Sequence, residues 1–377
     1  MPIYNQFDET SPYVSIVIPA YNAGAYIDET LNSLEKQTLD NIEIICVDDG
    51  SADDTLAIAE KHAVSDPRVR VLHQSNSGAG VARNAGLALA TGMWLAFLDA
   101  DDIYKLDFLE KMVKAAESCD AEIAVCDINC LIEKTGEVKP WENISPRAAG
   151  FFVKTSICAD YLFQLTSPVP FNKIFRTSFI REQRLQFQSL GNCNDVFFSY
   201  SALASSKTIA LVHESLVTYR ISEGASIQDN LTKFPTMEKC LCVYKALDAL
   251  ENYCLERSLL NGGLGISLDA ACVILAFGAT TKALGNDELL EQVFCAYQNA
   301  LKNEWRVSKP LKSAGFEVRS KYELMVNSTA AQFAWVYKQA GQSRRGGKMR
   351  KALLGAKTAL VIVQNRLRRK NLLSKFD

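Results

Sequence analysis

Trp94-Leu95-Ala96-Phe97-Leu98-Asp99-Ala100-Asp101-Asp102 is an apolar run with strand character that stops in three carboxylates within four positions. Side chains alternate faces along a strand, so Asp99 and Asp101 share one side while Ala100 points to the other. Two like charges on one side raise a pKa and splay the chain unless a cation joins them, and a divalent metal with oxygen ligands turns their repulsion into attraction. An isolated Asp-x-Asp is more often a plain solvated strand end. The sequence around this one changes the reading.

Upstream, Ile42-Glu43-Ile44-Ile45-Cys46-Val47 is a second β-branched run, and it delivers Asp48-Asp49-Gly50-Ser51 to a turn. Earlier still, Val14-Ser15-Ile16-Val17-Ile18 leads to Pro19-Ala20-Tyr21-Asn22, with the proline read as the strand's end and Ala23-Gly24 as the turn. Between these strands Tyr26, Ile27, Thr30, Leu31 and Leu34 recur at helical spacing, as do Leu56, Ile58 and Ala59 behind the cap candidates Ser51 and Asp53. Strands alternating with helices of this length predict parallel βαβ units. In open α/β sheets ligands bind at the carboxyl ends of the strands, so the three polar strand ends are expected to share one crevice.

A fourth element joins them. Val69-Arg70-Val71-Leu72 is a short strand, followed by Ser75-Asn76-Ser77-Gly78-Ala79-Gly80 and a helical stretch from Val81 to Ala88. A Gly/Ser loop opening a helix can offer backbone N–H groups to phosphate, and Arg83 in the first turn adds a fork of donors suited to phosphate or carboxylate. Anion-binding and metal-binding groups in one crevice suit a nucleoside diphosphate.

The blocks Val14 to Asn22, Val47-Asp48-Asp49-Gly50-Ser51, Ala82-Arg83-Asn84-Ala85-Gly86 and Phe97 to Asp102 together resemble glycosyltransferase family 2, inverting enzymes of bacterial cell-surface polysaccharide synthesis with the GT-A fold. The resemblance is clear over roughly the first hundred and ten residues, a normal size for one domain. It implies a Rossmann-like nucleotide-binding sheet with helices on both faces. Weaker family features follow at Phe171-Asn172-Lys173-Ile174-Phe175-Arg176, at Tyr219-Arg220 and at Gly224-Ala225-Ser226-Ile227. Asp195-Val196-Phe197-Phe198 resembles the Glu-Asp-x-x-Phe block of the catalytic base, with Asn194 in place of the glutamate.

A sugar hydroxyl is a poor nucleophile and a diphosphate leaves as a highly charged anion, so transfer needs a base on one side of the anomeric carbon and positive charge on the other. The resemblance assigns Asp195 as base and Asp101 as metal ligand, with Asp99 assisting at metal or ribose; Mn2+ or Mg2+ is the implied cofactor. It assigns Asp49 to the uracil of a UDP-linked donor and Pro19 and Tyr21 to the nucleoside pocket. Arg83 goes to the nucleotide or donor sugar, and Asp102 to the shape of the donor-sugar site. Asn22, Asp48 and Ala100 complete the nucleotide-sugar set. Taken singly, each has a plainer reading: Pro19 and Tyr21 as a strand end, Arg83 as a surface charge, Asp195 as an N-cap. His62, His73 and His213 show no metal-ligand spacing and receive no role.

Composition fits a catalytic domain with a substantial extension: 377 residues, 48% hydrophobic, 22% charged, formal net charge −2. The eleven cysteines lie scattered without a CxxC pair, which favours reduced thiols in a cytosol. Met1 to Ser11 lacks a charged-then-apolar export pattern, so the expected location is cytoplasmic. The expected division is a catalytic domain over 1–228, a mainly α-helical extension over 229–340 and a basic amphipathic tail over 341–377. Asn261-Gly262-Gly263-Leu264-Gly265 reads as a helix connection, because no strand precedes it.

The tail holds Arg344, Arg345, Lys348, Arg350, Lys351, Lys357, Arg366, Arg368, Arg369, Lys370 and Lys375 against Asp377 alone, interleaved with aliphatic residues. It is too short an apolar run to span a bilayer. It suits either an anionic membrane surface on the inner face of the cell membrane, where lipid-linked acceptors reside, or a solvated basic face. Nucleic acid is not an expected partner; a nucleotide-sugar donor and a saccharide or lipid-linked acceptor are. Two other classes fit less well. An NAD(P)-dependent oxidoreductase would carry its glycine fingerprint after the first strand, whereas here the loop comes later and Arg83 stands where the third glycine belongs. A noncatalytic sugar-nucleotide-binding or scaffolding relative would explain Asn194, but Asp99, Asp101 and Asp195 are retained.

Overall fold

The computed structural model describes residues 11–221, 235–260, 263–305, 316–341 and 358. The chain forms two compact units, one taking in the chain up to Ser226 together with Tyr253–Leu259, the other Ile227–Asn252 with Leu260–Asp377.

The first unit is built on one mixed sheet. Its leading half is the expected parallel array: β1 (Val14–Ala20), β2 (Ile42–Asp48), β3 (Val69–His73) and β4 (Trp94–Phe97), in the order β3-β2-β1-β4. Ile16 pairs with Ile44 on one side and Ala96 on the other. β1, β2 and β4 are buried on both faces, and this is why they read as continuous apolar runs instead of alternating ones. Helices α1 (Ile27–Glu35), α2 (Thr55–Ser65) and α3 (Ala79–Leu89) provide the crossovers. Ile27, Thr30, Leu31 and Leu34 form the buried stripe of α1.

β1 does not stop at its proline. Val17 O accepts from Leu98 N at 3.0 Å and Ala20 O from Asp49 N at 2.8 Å, so alternate residues of β1 bond towards β4 and β2. Pro19 falls on the β4 side, beyond Phe97, the last paired residue of β4. Its missing N–H therefore leaves no gap in the ladder. For α2, Asp53 and not Ser51 meets the first turn, with Oδ1 accepting from Thr55 N at 3.1 Å.

The other half of the sheet is antiparallel in part. β5 (Ile103–Tyr104) and α4 (Phe108–Ser118) lead to β6 (Ile123–Ile132), β7 (Glu137–Trp141) and β8 (Phe152–Lys154). β9 (Lys173–Arg176) then wedges antiparallel between β4 and β6. After α5 (Thr177–Glu182) and α6 (Asn194–Ser205), the long β10 (Thr208–Ile221) lies parallel to β6. Bulges between Val212 and Val217 bend it, and Val217 and Thr218 pair antiparallel with Tyr104 and Ile103. The acidic turn is thereby clamped between the end of β4 and the β5–β10 pair.

The second unit is helical: the part up to Asn252 of the helix Met237–Glu256, then Gly263–Lys282, Asp287–Asn299, Phe316–Asn327 and Ala330–Gly341, with a π-helical turn at Ala300–Glu304. Phe277, Phe294 and Phe333 meet with centroids 5.2 and 5.5 Å apart across the two contacts to Phe333. Gly263–Lys282 is long and apolar enough to cross a membrane by length and composition, with mean hydropathy 1.7, yet 67% of that stretch is buried inside the protein. Its buried face includes Ser267, Asp269 and Thr280, as befits a core helix. This helix begins inside the Asn261 to Gly265 stretch that reads as a connection. The Gly224 to Ile227 motif and the basic tail from Gln342, Thr358 aside, lie outside the described residues.

Candidate active site

The strand-end turns are stapled to one another by their own polar side chains. Asn22 adopts a left-handed φ of 50°, a conformation asparagine tolerates better than most residues. Its N–H donates to Ser51 Oγ at 3.0 Å, and its Oδ1 accepts from Ala52 N at 2.8 Å. The β1 and β2 turns are thus joined, and Tyr21, 53% exposed, is left standing in solvent beside them.

Asp48 and Asp49 face different duties. Asp48 is fully buried; its Oδ2 lies 2.7 Å from His73 Nδ1 and accepts from Ser51 N, while Oδ1 has no partner. Asp49 accepts from Gln74 Nε2 at 2.7 Å and Ser77 N at 2.9 Å through Oδ1, and from Gly78 N at 2.7 Å through Oδ2. This corrects the expectation for the Gly/Ser loop. The N–H groups of Ser77 and Gly78 are taken by a carboxylate of the protein itself, so they are not open to a phosphate; a fixed anion one residue past a strand outcompetes a diffusible one. Gly50 makes the approach feasible, with φ 75° and a position where a Cβ would meet Asn76 N at 2.8 Å.

Arg83 is not a surface charge. It is 7% exposed, with Nη2 donating to Asp99 Oδ1 at 2.6 Å and Nη1 to Asn194 Oδ1 at 2.8 Å. Its guanidinium lies 5.3 Å from the centre of the Phe187 ring. One side chain thereby connects α3, the acidic turn and the start of α6.

The acidic turn is held from beneath by two neutral hydroxyls, one donating and one accepting. Thr30 Oγ1 donates to Ala100 O at 2.9 Å and to Asp102 O at 2.8 Å, and Asp99 N donates to the Tyr104 hydroxyl at 3.0 Å. Asp102 is fully buried, with Oδ1 accepting from Arg220 N at 3.1 Å and Oδ2 unpartnered. The Arg220 side chain donates to the Asp101 carbonyl at 3.0 Å and to Glu29 at 2.6 Å, and its charge offsets only part of the crowding at Asp101 and Asp102. Burial, and then the charge of Asp99, push Asp101 up to about 6. Burial and the charges of Asp101 and Asp99 raise Asp102 well above the usual carboxylate range. The repulsion inferred from the sequence is therefore present, and Arg83 relieves it only at Asp99.

Asp195 is the second residue of α6, and the cap position belongs to Cys193, at φ 56°. The N-cap reading of Asp195 is thus replaced. Its carboxylate is half-buried, and its pKa is raised by burial against the opposing pull of Arg83. Lys173, in the field of Asp195, is wholly buried and donates to Ser167 O, Val169 O and Asn172 Oδ1 at 2.7 to 2.9 Å. Burial lowers its pKa to about 7.

Sequence reasoning named Tyr219 and Arg220 without a role and missed Thr30 and Tyr104. The spacing of Tyr104, five residues past Asp99, was a readable hint; the Thr30 contact, seventy residues away, left none. Tyr219 stacks on Phe171 at 5.6 Å and meets the edge of Trp141 at 6.3 Å, with Trp141 37% exposed. The histidines are structural: His62 lies between Asp28 and Glu35, His73 against Asp48, and His213 against Gly150 O.

The glycosyl transferase family 2 model matches residues 15–199. EpsH of Bacillus subtilis, assigned as a glycosyltransferase, is 34% identical over 256 residues, which is 66% of this chain and 72% of EpsH. The succinoglycan biosynthesis protein ExoO of Rhizobium meliloti is 32% identical over 218 residues, 57% of this chain and 62% of ExoO. Among solved structures, S. aureus TarS 1–349 in complex with UDP-GlcNAc aligns with a TM-score of 0.65 at 20% identity, over 88% of this chain and 93% of that one. The oxidoreductase reading falls, since the glycine loop follows β3 and its donors serve Asp49. With the strand-end blocks brought together on a GT-A sheet and a relative matched over most of its length, the chain belongs to glycosyl transferase family 2 and is a glycosyltransferase.

Proposed function

We propose that this glycosyltransferase moves a sugar, with inversion, from a UDP-linked donor to a hydroxyl of a saccharide or lipid-linked acceptor in bacterial surface-polysaccharide synthesis. The observation that carries the reading is Arg83, whose bonds of 2.6 Å to Asp99 and 2.8 Å to Asn194 draw the donor-end turn and the helix of Asp195 into one cluster. The polysaccharide context draws on the likeness to ExoO, and the UDP donor on the resemblance to the family together with the fold shared with TarS.

Pro19, Tyr21 and Asn22 line the nucleoside pocket in this reading. Asp49 has three of its roughly four acceptor sites filled, and the remaining one serves the uracil N–H. Asp48 acts from behind, through Ser51 and His73. Asp101, helped by Asp99, suits a hard cation: its carboxylate accepts no bond from another described residue, and its raised pKa marks a missing counter-charge. Among the described residues no three His, Cys, Asp or Glu side chains form a ready-made metal cage, so donor oxygens and water complete such a site. Bound there, Mn2+ or Mg2+ supplies positive charge to the departing diphosphate.

Asp195 takes the proton from the acceptor hydroxyl as its oxygen attacks the anomeric carbon and the carbon–oxygen bond to the diphosphate breaks. Burial of Asp195 makes it a stronger base than an exposed aspartate, which suits this work near neutral pH. The partly exposed Trp141 ring beside Tyr219 offers the kind of apolar surface that the C–H side of a sugar ring covers. Asn194 is engaged with Arg83, so its presence is no sign of a decayed site. We place the reaction in the cytoplasm, with the tail as a contact to the anionic inner face of the membrane.

Release of UDP from UDP-glucose, UDP-galactose and UDP-N-acetylglucosamine by purified protein, with Mn2+ or Mg2+ and a lipid-linked acceptor mixture, tests the reading. Metal-dependent UDP release with an inverted anomeric product is expected. No release from any donor, or a product with retained configuration, would overturn it.

A further inference from the structure

Arg83 is a buried cation with one anionic and one neutral partner. Asp99 supplies the charge, and the Asn194 amide oxygen supplies an acceptor only. The Nε of Arg83 is buried without a partner, and Asn194 is 8% exposed, so water does not stand in for either bond.

The surroundings fix this arrangement. α3 runs so close to the segment before α6 that a Cβ on Gly80 would meet Gln188 O at 2.2 Å and Asn194 Cβ at 3.1 Å. Asn84 brackets the Phe187 backbone, donating to its carbonyl at 2.8 Å and accepting from its N–H at 2.9 Å. The Phe187 ring beneath the guanidinium is itself stacked on Phe198 at 4.0 Å. Asn194 thus meets Arg83 across an interface with little room to rearrange.

We infer that Asn194 is a positioning residue of the nucleotide-sugar site: its neutral amide holds Arg83 in place while adding no further negative charge beside Asp99, Asp195 and the acidic turn. The inference rests on the proposed donor site. A carboxylate at this position would add one negative charge to a cluster in which Arg83 already faces Asp99 and Asp195. An added negative charge in a partly buried site repels an anionic nucleotide and attracts a divalent cation. The two effects have opposite signs, whereas a merely structural defect weakens both.

The test uses the full chain carrying Asn194→Asp, Asn194→Gln or Asn194→Ala, with three readouts: Tm, the Kd of UDP without metal, and the Kd of Mn2+ alone. Asn194→Asp is expected to weaken UDP about fivefold to tenfold and to tighten Mn2+ by a similar factor. Asn194→Gln, neutral but one methylene longer in a tight interface, is expected to leave both affinities unchanged or to weaken both together, without the opposite signs of Asn194→Asp. Asn194→Ala should lower the Tm below that of the other two variants, since the buried Nη1 of Arg83 loses its acceptor. The inference is overturned if Asn194→Asp moves both affinities in the same direction or neither, or if Asn194→Ala matches wild type in Tm. A wild type that binds no UDP would instead sink the donor-site reading, and the inference with it.

Discussion

Asp101 is predicted to harm the stability of the metal-free protein in the very role that makes it useful. Burial and the neighbouring Asp99 shift its carboxyl from the ordinary 3.8 to about 6. Between these values the folded state holds a proton that the unfolded state has released, so stability falls as pH rises through this window. Each pH unit of displacement corresponds to about 1.4 kcal/mol, which makes the cost at neutral pH about 3 kcal/mol. Asp101→Asn keeps the shape and removes the charge. The metal-free variant should therefore melt above metal-free wild type at pH 7, by about 6 to 12 °C for a unit of this size. The difference should shrink as pH falls and vanish below about pH 4, where Asp101 is protonated in both states. Adding Mn2+ should raise the Tm of wild type and leave the variant unmoved, while transfer by the variant is largely lost. Thermal melts in chelator from pH 4 to 8, repeated with Mn2+ and paired with UDP release, measure all of this. A variant that melts no higher than wild type at pH 7, or that transfers at the wild-type rate, would refute the reasoning.

Asp195→Asn should reduce turnover about a hundredfold or more, the usual worth of a general base, with donor affinity retained; near-normal turnover would assign the proton to another group. Arg83→Met leaves Asp99 without its cation and Asn194 without its donor, so chemical denaturation should show a loss of about 3 to 5 kcal/mol, as when one partner of a buried ion pair is removed. A loss under about 1 kcal/mol would mean that the pair is well solvated. Removal of the chain from Gly341 onward should abolish sedimentation with anionic vesicles and spare transfer to a soluble acceptor, and raised salt should weaken vesicle binding of the full chain. Full-length protein that ignores such vesicles at low salt would leave the tail a structural role.

The sequence by itself determined the parallel half of the sheet and where its chemistry gathers. Strands such as Val14–Ala20 and Ile42–Asp48 are buried on both faces, and burial of that kind leaves unbroken apolar runs ending in polar turns, which can be read without coordinates. The convergence of Asn22, Asp49 and Asp99 follows from local order, since parallel crossovers bring every strand end to one side. Which partner each side chain takes was decided by the tertiary structure alone. Arg83 and Asn194 lie 111 positions apart, and Arg220 and Asp102 lie 118 apart; no periodicity records such pairs. The capture of the Gly/Ser loop by Asp49 was hidden for the same reason, because a loop's composition shows that its N–H groups are available and not which anion reaches them first. β9 illustrates the limit most plainly. Lys173–Arg176 is only four residues long, and its place between β4 and β6 is set by the two edges it closes, not by anything within it. Local sequence encodes periodicity and turn chemistry over a few residues, whereas charge pairing and strand insertion depend on surfaces that exist only once the sheet has formed.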